Sequence, residues 1–364
     1  MADESWFESA AVRNEGTPSF FAREPLAPPP VPRKSTYELR PLTTGEVLDR
    51  TFYLYRNNFW LFAGISAVAA TVSTVTAIMQ QVYLHFRAPE MASPKPSPAA
   101  VMAHLGPVMG VGLVAGLLYL VVYSVTQAAT VKAVTAIYLG QSTSMKAAFD
   151  AVKGRWVRYF GIALWQAWSA IWLYLLLVAP GVVGVFLLAR HGGGANTGMV
   201  GAMVGLGLLM VFGGLGAAVY GIIAYIRNSL AVPAEVMEGL TIRAAMRRSK
   251  VLAAGTKGRI FLLFLMLAVL GVVVGGVEMP LAFLMAKSKG MQMVGIQAML
   301  LFVNFVVRAL VGPVGAIGLC LFYIDQRVRK EGFDIEVLME RAGTVNDAAT
   351  AVAAPVAYPL DELP

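Results

Sequence analysis

The chain has 364 residues, 57% apolar and only 14% charged, with a mean hydropathy of +0.66. Soluble domains run near half apolar and a quarter charged, so this composition excludes a soluble globular protein, and several apolar runs longer than about 18 residues point to a polytopic membrane protein. The formal charge of +8 belongs, in such a protein, to loops facing the cytoplasm rather than to a nucleic-acid surface, and the lone cysteine, Cys320, excludes an intrachain disulfide.

Residues 1–40 are polar and carry Pro25, Pro28, Pro29, Pro30 and Pro32. Such a segment buries too little apolar surface to fold, which predicts a disordered cytoplasmic arm. No apolar core of signal-peptide length precedes the first long run, so that run is expected to be an uncleaved signal anchor. Residues 43–60, TTGEVLDRTFYLYRNNFW, come next. Thr43 and Glu46 have the spacing of a capping box, and Leu48, Phe52, Tyr55 and Phe59 recur on one helical face. An apolar stripe beside a charged one, directly before a span, predicts a helix lying in the headgroup layer near 43–58.

Six spans are predicted, at about 59–84, 107–139, 159–189, 198–226, 260–286 and 293–324, so the fold class is all-α, a polytopic membrane helix bundle in the region 41–324. Pro180 and Pro313 predict kinks in the third and sixth. The fourth is rich in glycine, and its Gly201-x-x-x-Gly205 predicts close approach of a neighbour. The loop at 85–106 is Pro- and Ser-rich and holds His85 and His104; with His191 these are the only histidines, and their spacing does not resemble a metal site. Residues 325–364 read as a cytoplasmic tail, helical through 325–341 and then disordered.

Seven Lys or Arg residues precede the first span, and more crowd the 2–3 and 4–5 connections and the C-terminal tail. The other side carries only Arg87, Lys95, Arg190, Lys287 and Lys289. That alternation puts both termini in the cytoplasm. Amphipathic patterns recur before the third span (143–157, with Met145, Ala148, Phe149, Val152 and Trp156 on one face) and before the fifth (241–253, with Thr241 as the cap and Ile242, Ala245, Met246, Ser249, Leu252 and Ala253 on one face). The units start near 43, 142 and 241, a period of about 99 residues, which suggests three pseudo-repeats of an interfacial helix and a helix pair.

Residues 39–62 (LRPLTTGEVLDRTFYLYRNNFWLF), 228–252 (NSLAVPAEVMEGLTIRAAMRRSKVL) and 321–341 (LFYIDQRVRKEGFDIEVLMER) together resemble the signatures of a bacterial membrane family. Its members are labelled glycerophosphoryl diester phosphodiesterase membrane-domain proteins. In the phosphodiesterases that share this membrane portion, catalysis belongs to a separate soluble barrel. The present chain has no length for that barrel, so the resemblance implies a membrane module without the activity in the label.

Two polar features remain. Gln297, Asn304 and Arg308 are spaced i, i+7 and i+11 on one face of the sixth span, and Glu278 is an acidic residue inside the fifth. A charge at the bilayer centre costs about 2.5–3.5 kcal/mol on the insertion scale, so Arg308 is expected to face the bundle. Two readings stand: these four residues line a polar cavity for a lipid headgroup or other anion, or Arg308 is a structural charge satisfied by an ion pair or by carbonyls at the Pro313 kink. The second feature is the basic face Arg243, Arg247, Arg248 and Lys250, which either binds anionic lipid or only enforces topology. No cofactor or metal motif is present, and no nucleophile–base pattern, so the expected function is a non-catalytic, lipid-interacting or partner-organising module of the inner membrane. The partners are membrane lipids, anionic ones included, or another membrane protein. The alternative is a transporter or export component for a small or lipidic anion.

Overall fold

The computed structural model describes residues 40–91, 98–190, 197–288, 290–337 and 339. All of these but Met339 fall in one compact unit, Lys34–Val337. The elements are α1 (Thr44–Asn57), α2 (Phe59–Met91), α3 (Pro98–Tyr138), α4 (Met145–Val152), α5 (Trp156–Arg190), α6 (Thr197–Asn228), α7 (Ala231–Glu238), α8 (Ile242–Ala253), α9 (Lys257–Lys287) and α10 (Met291–Glu331). Among the described residues there is no strand. Six helices, α2, α3, α5, α6, α9 and α10, are long and apolar enough to cross a membrane, and the chain is a multi-pass membrane protein of the all-α class.

The organising helix is α10, which packs on α1, α2, α3, α8 and α9. The short helices α1, α4 and α8 gather at one end of the bundle with the C-terminal half of α10. That end, here the basic end, holds most of the buried core, from Leu42 and Leu54 through Tyr159, Leu230 and Met246 to Phe322 and Tyr323. Away from it, large apolar side chains point outward (Val272, Phe212, Phe302), the surface a hydrocarbon environment accepts.

The arrangement predicted from sequence, a short helix before each long pair, is present at α1, α4 and α8, but the second pair is followed by an extra element. The chain breaks at Ser229–Leu230 and re-enters as α7, whose residues from Ala231 to Val236 are all buried. It packs between α3, α5, α8 and α10, where a loop was expected. The glycine Gly239, in the left-handed region at φ 67°, closes it.

Several local expectations are corrected. The capping box forms: Glu46 N donates to Thr43 Oγ1 at 3.3 Å and Thr43 N donates to Glu46 Oε2 at 2.7 Å. The buried face of α1, however, is Val47, Thr51 and Leu54, one position round from the predicted stripe, and Phe52 is exposed. Thr51 can enter the core because its hydroxyl bonds to Val47 O at 2.7 Å. Helix α1 ends at Asn57 and α2 restarts at Phe59, so the two are not one unbroken helix. Helix α4 is only Met145–Val152; Trp156 belongs to α5 after a 3₁₀ turn, and both Met145 and Trp156 are exposed. Thr241 occupies the cap position of α8 but makes no side-chain cap bond.

Pro180 and Pro313 lie inside α5 and α10 without ending them, as the expected kinks allow; α2 and α3, in contrast to the predicted 85–106 loop, extend to Met91 and back from Pro98, over most of it. A Cβ at Gly201 or Gly205 would meet nothing within 4 Å, so the motif expected to bring helices together faces open space. The close approach is at Gly221, where a Cβ would lie 2.6 Å from the carbonyl oxygen of Ala170 on α5. Asp325 and Gln326, assigned to the tail by sequence, are buried in the bundle. The predicted arm at 1–39 and His191 lie outside the described residues.

Candidate functional site

Three of the four residues expected in a polar cavity share one. Gln297, Asn304 and Arg308 of α10 line a cavity of about 240 Å³ with Ser73, Thr74 and Gln81 of α2. Asn304 Nδ2 donates back to Leu300 O at 3.1 Å. Arg308 also lines a second cavity of about 230 Å³, between α2, α3 and α10, with Ser66, Tyr119, Thr126 and Gln127. The guanidinium therefore forms a wall common to two chambers. Along α10 it is equally far from Met291 and from Asp325, about 25 Å each way at 1.5 Å per residue, which is the middle of the span.

Glu278 is not brought to Arg308. It sits half-buried on α9, which contributes only Met285 to the cavity wall, and among the described residues it makes no ion pair. Neither form of the structural reading of Arg308 is observed: among the described residues the guanidinium has no carboxylate partner and no hydrogen bond to a carbonyl. Its one polar contact is the face of Tyr119, with Cζ 5.9 Å from the ring centre. Such a contact offsets about 0.5–2 kcal/mol and leaves the five N–H donors for other partners.

A second polar system lies at the basic end and was missed from sequence. Asp325, on α10, has a fully buried carboxylate. It accepts from Leu42 N (2.7 Å), from Arg329 Nε (3.0 Å to each oxygen), from Arg259 Nη1 (3.2 Å) and from Gln326 Nε2 (3.1 Å). Arg259 and Arg329 also donate to Leu42 O, at 2.7 and 2.5 Å. Beside this, Glu238 at the end of α7 accepts from Tyr323 and from Arg248 (Nε 3.0 Å, Nη2 2.9 Å), and Arg248 reaches Glu331 at 2.5 Å. The signal was present in the spacing: Asp325–Arg329 and Arg327–Glu331 are i, i+4 pairs of a helix that continues past its apolar run. Glu235 of α7 is also fully buried; among the described residues neither oxygen has a partner at hydrogen-bonding geometry, and Arg158 and Arg155 approach to 3.7 and 4.0 Å.

The basic face of α8 therefore divides. Arg248 is half-buried and committed to Glu238 and Glu331. Burial opposes its charge, but the hydrogen bonds it donates to Glu331 and Glu238 outweigh that and hold its pKa above the ordinary arginine value. Arg243, Arg247 and Lys250 are exposed at i, i+4 and i+7, on one side of the helix, with no partner among the described residues. At the cap of α1, the backbone N–H of Thr43 and then the Arg40 guanidinium, 2.5 Å away, hold the Glu46 carboxyl down to about 2.

The chain matches no protein-family model, no curated protein and no solved structure.

Proposed function

We propose that this is a non-catalytic, multi-pass protein of the bacterial cytoplasmic membrane that binds an anionic lipid headgroup, with its basic end and both termini in the cytoplasm. The observation that carries the reading is Arg308: a mid-span guanidinium without a counter-charge among the described residues, walling two cavities whose other polar groups are amides and hydroxyls. An uncompensated charge at that depth is costly, and a phosphate held by charge-assisted hydrogen bonds would remove the cost. The groups around it offer donors and a positive charge but no base paired with a nucleophile, which favours binding over catalysis.

Orientation on this reading follows from the excess of Lys and Arg at the basic end. The exposed trio Arg243, Arg247 and Lys250 would then meet the anionic leaflet, at about 1 kcal/mol for each basic residue near the surface. The resemblance to the phosphodiesterase membrane-domain family supports the same reading of a lipid-facing module. Its three signature segments also meet in space, through Leu42 with Asp325 and Arg248 with Glu331.

The test is the lipid carried through purification in mild detergent. Wild-type protein is expected to retain anionic phospholipid, measured by mass spectrometry, and Arg308→Gln to lose it with an unchanged elution profile and thermal midpoint. Equal retention by the two proteins contradicts the proposal.

A further inference from the structure

The two chambers at Arg308 are not isolated. A third cavity, of about 50 Å³, lies between α3, α5, α7 and α10 and is lined by Tyr123, Gln127, Gln166 and Ser229 among others. The three succeed one another along the bundle. On α10 their walls run from Gln297 to Arg308, from Val307 to Gly312, and from Ala316 to Leu319. On α2 the walls pass from Gln81 back to Ser66, and on α3 from Tyr119 on to Val131. Neighbouring cavities share residues: Arg308 belongs to the first and second, Tyr123 and Gln127 to the second and third. From Gln297 to Leu319 the series covers about 33 Å of α10, against about 30 Å of hydrocarbon in a bilayer.

We infer that this series is a crossing path for a phosphate-bearing anion, with Arg308 as its mid-membrane binding site and Tyr123, Gln127, Gln166 and Ser229 as its closed constriction. The inference rests on the reading that Arg308 binds an anion. Polar side chains in a hydrocarbon layer cost free energy unless they meet a partner. Thr74, Thr126, Asn304, Gln166 and Ser229 donate to backbone carbonyls, but Gln81, Gln127 and Gln297, on α2, α3 and α10, have no hydrogen-bond partner among the described residues, which packing alone does not select. Among the described residues, Arg308 is the only charged one in the walls of the three cavities, which sets the preference for negative charge.

Size sets the rest. Each of the first two chambers has room for about eight water volumes of 30 Å³, enough for a phosphate group and too little for a whole phospholipid; the third has room for about one or two. The path is thus wide in both chambers that Arg308 walls and narrow only at the third cavity, toward Leu319. At the constriction sit Ser229, where α6 breaks, and the first turn of α7, Val232 and Pro233. A discontinuous helix whose start faces the path is the arrangement by which transporters meet an anionic group. The phosphate could be free or carried by a lipid whose chains stay outside. An apolar groove of about 550 Å³ between α5, α6 and α9, touching the third cavity at Tyr225, suits the lipid source.

The full-length protein reconstituted into vesicles of phosphatidylglycerol and phosphatidylcholine tests both sources. One arm follows fluorescent phosphatidylglycerol, with dithionite destroying label in the outer leaflet only; the other follows uptake of radiolabelled inorganic phosphate down its gradient. Crossing above empty vesicles in either arm is expected and names the source. It should fall about tenfold or more in Arg308→Gln, the loss of one strong charged contact. Gln166→Leu, at a residue that lines only the third cavity, should slow crossing while leaving co-purified lipid intact, and it carries the test if Arg308→Gln does not fold. No crossing in either arm by a protein that still retains lipid overturns the path and leaves the binding reading standing. Phosphate uptake by a protein that retains no lipid overturns the lipid reading and leaves the path. Crossing at the wild-type rate in both variants overturns the route through Arg308.

Discussion

Asp325 is the residue on which the basic end depends. Its buried carboxylate answers two guanidiniums and a backbone N–H at once, and removing one partner of such a cluster leaves uncompensated charge in the core. Asp325→Ala is expected to cost about 3–5 kcal/mol, read as a large fall in the thermal midpoint in detergent. An exposed carboxylate behaves differently. The Glu46 carboxyl is held down to about 2 by Thr43 N–H and Arg40, below its ordinary value of 4.5. Because the folded value is the lower one, the cap is fully present above the ordinary carboxylate range and is lost as pH falls through about 2. The Thr43 amide resonance should titrate with that midpoint and cease to titrate in Glu46→Gln; a midpoint in the ordinary range contradicts the geometry. Both carboxylates stand in helix patterns that the chain displays openly. Glu46 was readable because its partner is three residues away. Asp325 showed only its i+4 pair with Arg329; the partners that draw it into the core, Arg259 and Leu42, lie 66 and 283 residues distant. Arg308 was legible as the odd charge in a span, but a pairing with Glu278 was not decidable from helix spacing, which says nothing of how far α9 stands from α10.

Helix faces were legible where burial is purely apolar and obscured where a polar residue satisfies itself. In α8 the predicted stripe of Ile242, Ala245, Met246, Ser249, Leu252 and Ala253 is the buried one except at Ile242, which is half-buried. In α1 the pattern of large side chains pointed one position off, since Thr51 hides its hydroxyl on its own helix and frees Phe52 to face outward. Glycine patterns misled for a related reason: a small residue permits close approach without requiring it. Helices α5 and α6 pack at Gly221, so Gly221→Ala should force apart the contact with the Ala170 carbonyl, costing about 1–3 kcal/mol. Gly205→Ala, with open space around it, should be neutral or gain up to about 1 kcal/mol from helix propensity. Thermal unfolding of the two variants side by side checks the assignment; a larger loss at Gly205 contradicts it. Helix α7 had no legible signal, because eight residues are too few to show a period and its burial comes from α3, α5, α8 and α10, which surround it only in the folded chain.

The architecture as a whole was the most readable property, since six apolar runs need no partner to declare themselves. Which way they thread is a separate prediction. In a Cys320→Ala background, Arg247→Cys should react with an impermeant maleimide only from the cytoplasm and Ser288→Cys only from outside; labelling of both from one side contradicts the orientation. The bond from Leu42 N to Asp325 then bears on how the protein is made. Its two ends are 283 residues apart, so at about 5–20 residues per second the ribosome needs roughly 15 to 60 s to deliver the second after the first. During that interval the N–H and carbonyl of Leu42, with the first two spans already inserted, wait without the acceptor and donors that later bury them. A nascent or truncated chain lacking the end of α10 would expose this seam to membrane proteases, and synthesis would be complete, in the cell's terms, only when the last helix reaches back to the first.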